Sequence, residues 1–259
     1  MSAGPGAAPA RTPDPAGPSD GEQGSARQPQ HGHTRPHVLL SVAVSVDGYI
    51  DDASPQRLLL SNAADFDRVD QVRAESDAVL IGAETLRRDN PRLLVNSAER
   101  RAARAAAGKP EYPLKITVTA LGNLDAGLRF WHHGGAKLVY TTDAGRTRLG
   151  DRLTGLAEVR SLGPELDLSV LLDDLGARGI GRLMVEGGTR MHTAFLAAGL
   201  ADELHVAVAP ILVGDAAAPR FVGQAAFPGG PAHRMRLAGV AAVGDVAVLR
   251  YLPRGREES

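Results

Sequence analysis

The 259-residue chain contains no cysteine. Disulfides, thiolate metal sites and cysteine nucleophiles are thereby excluded. Net charge is also nearly absent, with 29 Lys and Arg against 30 Asp and Glu. That balance creates no long-range field to draw in nucleic acid or an anionic membrane. No apolar run approaches the roughly 18 residues of a membrane-crossing helix, and the N-terminus lacks the apolar core of a secretory signal. The expectation is a cytosolic protein with a small-molecule partner. Neither GxGxxG nor a P-loop occurs, so the sequence supports neither a standard Rossmann dinucleotide site nor an NTPase. No internal repeat is visible.

What is present divides into two compositions. Residues 1–35 are Gly, Pro, Ala, Ser and Gln with scattered charge and almost no large apolar side chain. Such a stretch cannot bury enough surface to offset its chain entropy, and it is expected to be a disordered tail. Its His31 and His33 have the spacing of a surface metal site, but they are expected to be solvated. A single domain over residues 36–254 and a short tail over 255–259 complete the expected organisation.

Within the domain, 38–44 is a nearly continuous apolar, β-branched run, the pattern of a strand buried on both faces. Residues 77–82 repeat it. Further strands are predicted at 115–120, 137–141, 182–185 and 203–209, with a final pair at 235–240 and 246–252 joined through Gly244 and Asp245. Between them, Ser61-Asn62 offers an N-cap for a helix running to Glu75, and Ala83–Leu86 makes a short helical turn before Pro91 stops it. Helices are also expected at 98–107, 168–178 and 191–198. The arginines of the first of these, Arg100, Arg101 and Arg104, are expected to form a solvated face. Strand and helix alternate, which implies an α/β fold with a mostly parallel central sheet flanked by helices, and the last two strands form an antiparallel edge.

Ligands in such sheets bind beyond the carboxyl ends of the strands. Three clusters fall there. They are Ser45-Val46-Asp47-Gly48, then Gly82-Ala83-Glu84-Thr85 running on to Asp89-Asn90-Pro91, and Glu186-Gly187-Gly188-Thr189. Glycines at a strand-to-helix turn let backbone N–H groups approach a phosphate beside a helix N-terminus. A plain tight turn is the alternative for each cluster.

Taken in order and spacing, these blocks resemble the reductase domain of the bifunctional riboflavin-pathway deaminase-reductases and their stand-alone relatives. The resemblance rests on Arg35-Pro36-His37-Val38 with Ser45–Gly48, Arg73 with Asp77–Thr85, Asp89–Leu93, Val185–Gly188, Phe195–Glu203 and Ala209–Gly214, and it covers roughly residues 35–252. It implies a dihydrofolate-reductase-like fold, a homodimer, and NADPH as cofactor. It also implies the reduction of a phosphoribosylamino-uracil to its ribitylamino product through a ring-opened imine. Hydride goes to the former anomeric carbon, and the protein aligns the partners and supplies a proton. No His-x-Glu with a downstream Pro-Cys-x-x-Cys zinc site occurs, so these residues hold no deaminase of that type.

Residue by residue, the resemblance makes Asp89 the group assisting proton transfer and Glu186 the acidic residue opposite it. A capping carboxylate is the alternative for each. The cofactor-binding turns map onto Gly82, Thr85, Gly187, Gly188 and Thr189. Substrate contacts map onto Ser41, Asp47, Arg73 and Arg92, the two arginines being candidate phosphate partners. Three positions depart from the bifunctional pattern: Ser41 stands where Lys is usual, Leu60 where Thr is common, and Asn96 where a basic residue is expected. These bear on the exact substrate. Two other readings compete, a reductase of the same scaffold acting on a dihydropterin or other specialised metabolite, and a non-catalytic nucleotide-binding protein. For the dimer, the apolar stretch Val206–Val213 marks the strand at 203–209 as an edge that invites pairing.

Overall fold

The computed structural model describes residues 34–253 except Pro55 and Ala232. The expected tails, and the His31 and His33 pair, lie outside the described residues. Nine strands form one sheet in the order β5-β4-β3-β2-β6-β1-β7-β9-β8. They are β1 (His37–Ser45), β2 (Ala78–Gly82), β3 (Leu114–Thr119), β4 (Lys137–Thr141), β5 (Glu158–Ser161), β6 (Arg182–Val185), β7 (Glu203–Ala209), β8 (Arg236–Val243) and β9 (Val246–Leu252). The strands from β5 to β7 run parallel, while β9 and β8 add an antiparallel edge. This is the architecture read from the alternation of patterns. Among the described residues no helix is long and apolar enough to cross a membrane.

Seven helices connect the strands: α1 (Ala63–Glu75), α2 (Ala83–Asp89), α3 (Ala98–Ala106), α4 (Arg129–His132), α5 (Asp143–Leu149), α6 (Leu168–Ala177) and α7 (Thr189–Ala197). Asn62 caps α1 as expected, its side-chain oxygen accepting from the Asp65 backbone N–H. Because strand side chains alternate, neighbouring residues feed two cores. Leu40, Leu80 and Ile116 meet Leu171, Leu175 and Phe195 of α6 and α7 on one face. Leu39, Val79 and Ile81 meet Leu86, Phe130 and Trp131 of α2 and α4 on the other. Burial on both faces is why β1 and β2 read as continuous apolar runs.

Two expectations are corrected. The α3 arginines are not a solvated face. Arg104 is buried and donates to the carbonyls of Ala74, Ser76 and Pro110, while Arg100 binds Asp67, Asp70 and Gln71 around α1. Nor is β7 an isolated edge. It lies between β1 and β9, bonded on both sides, because the C-terminal hairpin folds back onto it; β8 is the edge instead. Three short elements, α4, α5 and β5, were not expected at all.

Candidate active site

A cavity of about 930 Å³ opens across the carboxyl ends of β2, β3 and β6, where a parallel sheet places ligands. Ser41, Arg73, Gly82, Thr85, Asp89, Arg92, Glu186, Gly187, Gly188 and Thr189 all line it. Asp47 does not. Its carboxylate accepts from the Ser45 hydroxyl and from the backbone N–H groups of Val213 and Gly214. The Ser45 hydrogen bond, followed by these backbone donors, holds its pKa down at about 2. Asp47 thus pins the loop after β7 rather than facing the cavity.

At one end of the cavity, two strand-to-helix turns abut. A Cβ on Gly187 would lie 3.1 Å from Ile81 Cγ1 and 3.2 Å from the Gly82 nitrogen. Gly188 sits at φ +78°, and a Cβ there would collide with Thr85 Oγ1. Glycine is therefore required there by both space and backbone. Gly188 is the N-cap of α7 and supplies no side-chain cap; Met191 N–H turns back to the Gly188 carbonyl, which leaves the N–H groups of Thr189 and Arg190 for another acceptor. Thr189 is committed elsewhere, its hydroxyl donating to the Arg220 carbonyl at 2.5 Å. An uncapped helix start beside a glycine cradle, with the partly buried Leu166 and Leu168 further along the same cavity, fits a phosphate-bearing nicotinamide dinucleotide.

Asp89 lies at the opposite end of α2 from the Gly82 turn, and Glu186 directly precedes Gly187. Asp89 is the last residue of α2, so it caps no helix start. Its side chain is 14% exposed and lies 3.7 Å from the Arg57 guanidinium. Burial raises its pKa and the nearby Asp51 adds to the rise, while Arg57 and Arg88 pull against it. Asp51, buried and 2.8 Å from Arg88, also lines the cavity. Sequence reasoning passed over both Asp51 and Arg57. The only signal for Asp51 was its place directly behind Gly48-Tyr49-Ile50.

Glu186 is held by Arg73 in a two-pronged pair, Nε to Oε1 at 2.5 Å and Nη2 to Oε2 at 2.6 Å. Arg73 also donates to the Leu94 carbonyl. The two residues expected to face a ligand separately are thus spent largely on each other. Arg92 is exposed and its guanidinium makes no hydrogen bond among the described residues. His192, fully buried in the cavity wall, has no partner on either ring nitrogen among the described residues; burial lowers its pKa to about 4, so the ring is neutral.

Comparison with known proteins places the chain in a family. The family model of the RibD C-terminal domain matches residues 36–249. The chain is 36% identical over 186 residues to the 2,5-diamino-6-ribosylamino-4(3H)-pyrimidinone 5′-phosphate reductase of Archaeoglobus fulgidus, covering 71% of this chain and 85% of that protein. The enzyme of the same name from Methanothermobacter thermautotrophicus is 30% identical over 223 residues, 85% of this chain and 100% of that one. Among solved structures, Acinetobacter baumannii RibD superposes with a TM-score of 0.71 at 25% identity, over 85% of this chain. The match spans 59% of the RibD chain. The curated homologues are reductases of riboflavin biosynthesis, and the chain belongs to the RibD C-terminal domain family.

Proposed function

We propose that the protein is an NADPH-dependent reductase of a 6-(5-phosphoribosylamino)pyrimidine, converting the ribosylamino group to ribitylamino. The observation that carries this reading is the meeting, in one cavity, of an uncapped glycine-lined helix start and a partly buried carboxyl whose pKa is raised. Bound reduced nicotinamide supplies hydride to the carbon of the ring-opened imine. Asp89 holds the proton that the imine nitrogen takes up as its C=N bond becomes C–N, and recovers it from solvent. Arg73 holds Glu186 fixed in the wall through two hydrogen bonds, where its geometry sets one side of the pocket. Arg92, and not Arg73, is the substrate-phosphate partner, since its guanidinium has no competing carboxylate.

The pyrimidine is either the 2-amino compound in the name of the archaeal relatives or its uracil counterpart. Their 36% and 30% identity with this chain favours the former as the first to test. Loss of absorbance at the NADPH band is expected with one of the two and not with dihydropterin. No loss with either would defeat the reading. Titration of NADPH against NADH checks the cofactor, and tighter binding of NADPH is expected. The working form is a homodimer, argued below from the uncovered face of the sheet.

A further inference from the structure

The loop between Asp89 and Leu94 follows a path that its sequence does not favour. Asn90 has φ +41° and Leu93 φ +52°. Asparagine tolerates the left-handed region, but leucine rarely enters it. Such conformations persist only where the surroundings over-determine them. Two basic side chains outside the cavity supply that determination. Lys115 of β3 is completely buried, and its ammonium donates to three carbonyls: Arg92 at 2.9 Å, Phe130 at 2.5 Å and His133 at 2.7 Å. All three N–H groups are used, one on the loop and two at the carboxyl end of α4. From the solvent side, Arg129 of α4 donates its Nε to the Asn90 carbonyl at 2.9 Å and its backbone N–H to Asn90 Oδ1 at 2.7 Å.

We propose that Lys115 and Arg129 form a clamp that positions the Asn90–Leu93 loop, and with it Asp89 and Arg92, for the bound substrate. Neither touches the cavity, so they are positioning residues that act through the loop. The proposal rests on the functional reading above. It deepens that reading by explaining why a lysine is completely buried near the start of β3, where burial lowers its pKa to about 7 and a polar group left unpaired would be costly.

The clamp holds only the substrate end of the cavity, because the cofactor end is built from the Gly82 and Gly187–Gly188 turns. Lys115→Met and Arg129→Ala should therefore each raise KM for the pyrimidine phosphate and lower kcat/KM by about tenfold or more, as expected when reacting groups are misplaced. NADPH Kd should stay within about twofold of wild type. A purely structural role would lower kcat in step with the folded fraction, measured by melting, and leave KM unchanged; that outcome overturns the proposal. If Lys115→Met fails to fold, the exposed Arg129→Ala variant decides alone. Hydrogen exchange provides a reading independent of turnover: the amide of Asn90, which donates to the Leu86 carbonyl, and that of residue 129, which donates to Asn90 Oδ1, should exchange faster in either variant while those of β2 and β6 do not. Unchanged exchange at those two amides also overturns the clamp. Absence of turnover by wild type would instead defeat the functional reading and leave the exchange result to judge the clamp.

Discussion

Asp89 illustrates how one side chain's surroundings set both its chemistry and its cost. Burial pushes its pKa up and Asp51 adds to the rise, so it holds a proton at higher pH than an ordinary aspartate. Replacement by Asn preserves shape but removes the exchangeable proton. Turnover in Asp89→Asn should fall by at least about 10²-fold with NADPH affinity little changed. The stability effect has a definite sign. A carboxyl whose folded pKa lies above its unfolded value binds more protons when folded, so its ionisation costs stability as pH rises. The variant should therefore melt slightly higher than wild type at neutral pH, and the difference should vanish below about pH 4, near the ordinary aspartate pKa. A variant that melts lower at neutral pH would mean that the Arg57 contact outweighs burial. Arg92 gives the matching prediction for binding. Loss of one charge-assisted phosphate contact is worth about 1.5–3 kcal/mol, so Arg92→Ala should raise substrate KM by roughly 10- to 100-fold with kcat nearly kept. An unchanged KM would return the phosphate to another cation of the rim.

At the scale of the element, legibility followed the strength of the local pattern. Runs such as Ala78-Val79-Leu80-Ile81-Gly82 have every residue buried, and a strand buried on both faces is read directly from composition. Asn62 could be placed because a cap is a single residue with a fixed role. The four-residue α4 is too short to show a period. In α5, Gly145 and Thr147 lower helix propensity, although Thr142 caps it by accepting from the Gly145 N–H. In β5 the sequence Glu-Val-Arg-Ser has one apolar residue and lies half exposed at the sheet edge. Contacts across the chain left no local trace at all. Glu186 and Arg73 lie 113 residues apart, and nothing in either segment announces their pairing. Arg104 was misread for the same reason, since its carbonyl partners come from the end of α1 and from the loop before β3. Arg104→Met leaves three carbonyls without a donor and should cost about 3 kcal/mol, or about 6–12 °C in Tm for a domain of this size. Turnover per folded molecule should be unchanged. A melting temperature within a degree or two of wild type would show that water replaces the guanidinium.

At the scale of the whole molecule, the two faces of the sheet's C-terminal edge differ. On one, Ala207, Val246 and Val248 form a small core, and Asn62 closes over it by donating to the Val243 carbonyl and Asp245. The other face continues from Val42 and Val44 of β1 to Val206 and Val208 of β7, then to Leu249 and Ala247 of β9 by register. A register shift between Leu237 and Gly239 brings Leu237 and Val240 of β8 onto that same face, opposite Tyr251 and Leu249, as a bulge inserts one residue and restores the alternation. Leu237 is 52% exposed and Val240 63%. Nearby, Val46 and Leu212 are 61% and 73% exposed. Val42 and Val44 are buried, but towards β8 the face is uncovered; an uncovered apolar sheet face is the signature of an interface, and in the proposed homodimer a second copy of the chain would cover it with the same residues through a two-fold axis. The contact thus shifts from the β7 edge expected from sequence to the face of β7, β9 and β8, with Leu212 of the expected Pro210–Val213 segment at its margin. Wild-type protein at micromolar concentration should sediment as a dimer. Val240→Asp places an unpaired charge in the buried face and should weaken the dimer by at least about 100-fold. In the monomer the same side chain stays in solvent, so the circular dichroism should not change. Should wild type sediment as a monomer, or Val240→Asp stay as tightly dimeric as wild type, this face is not where the copies meet.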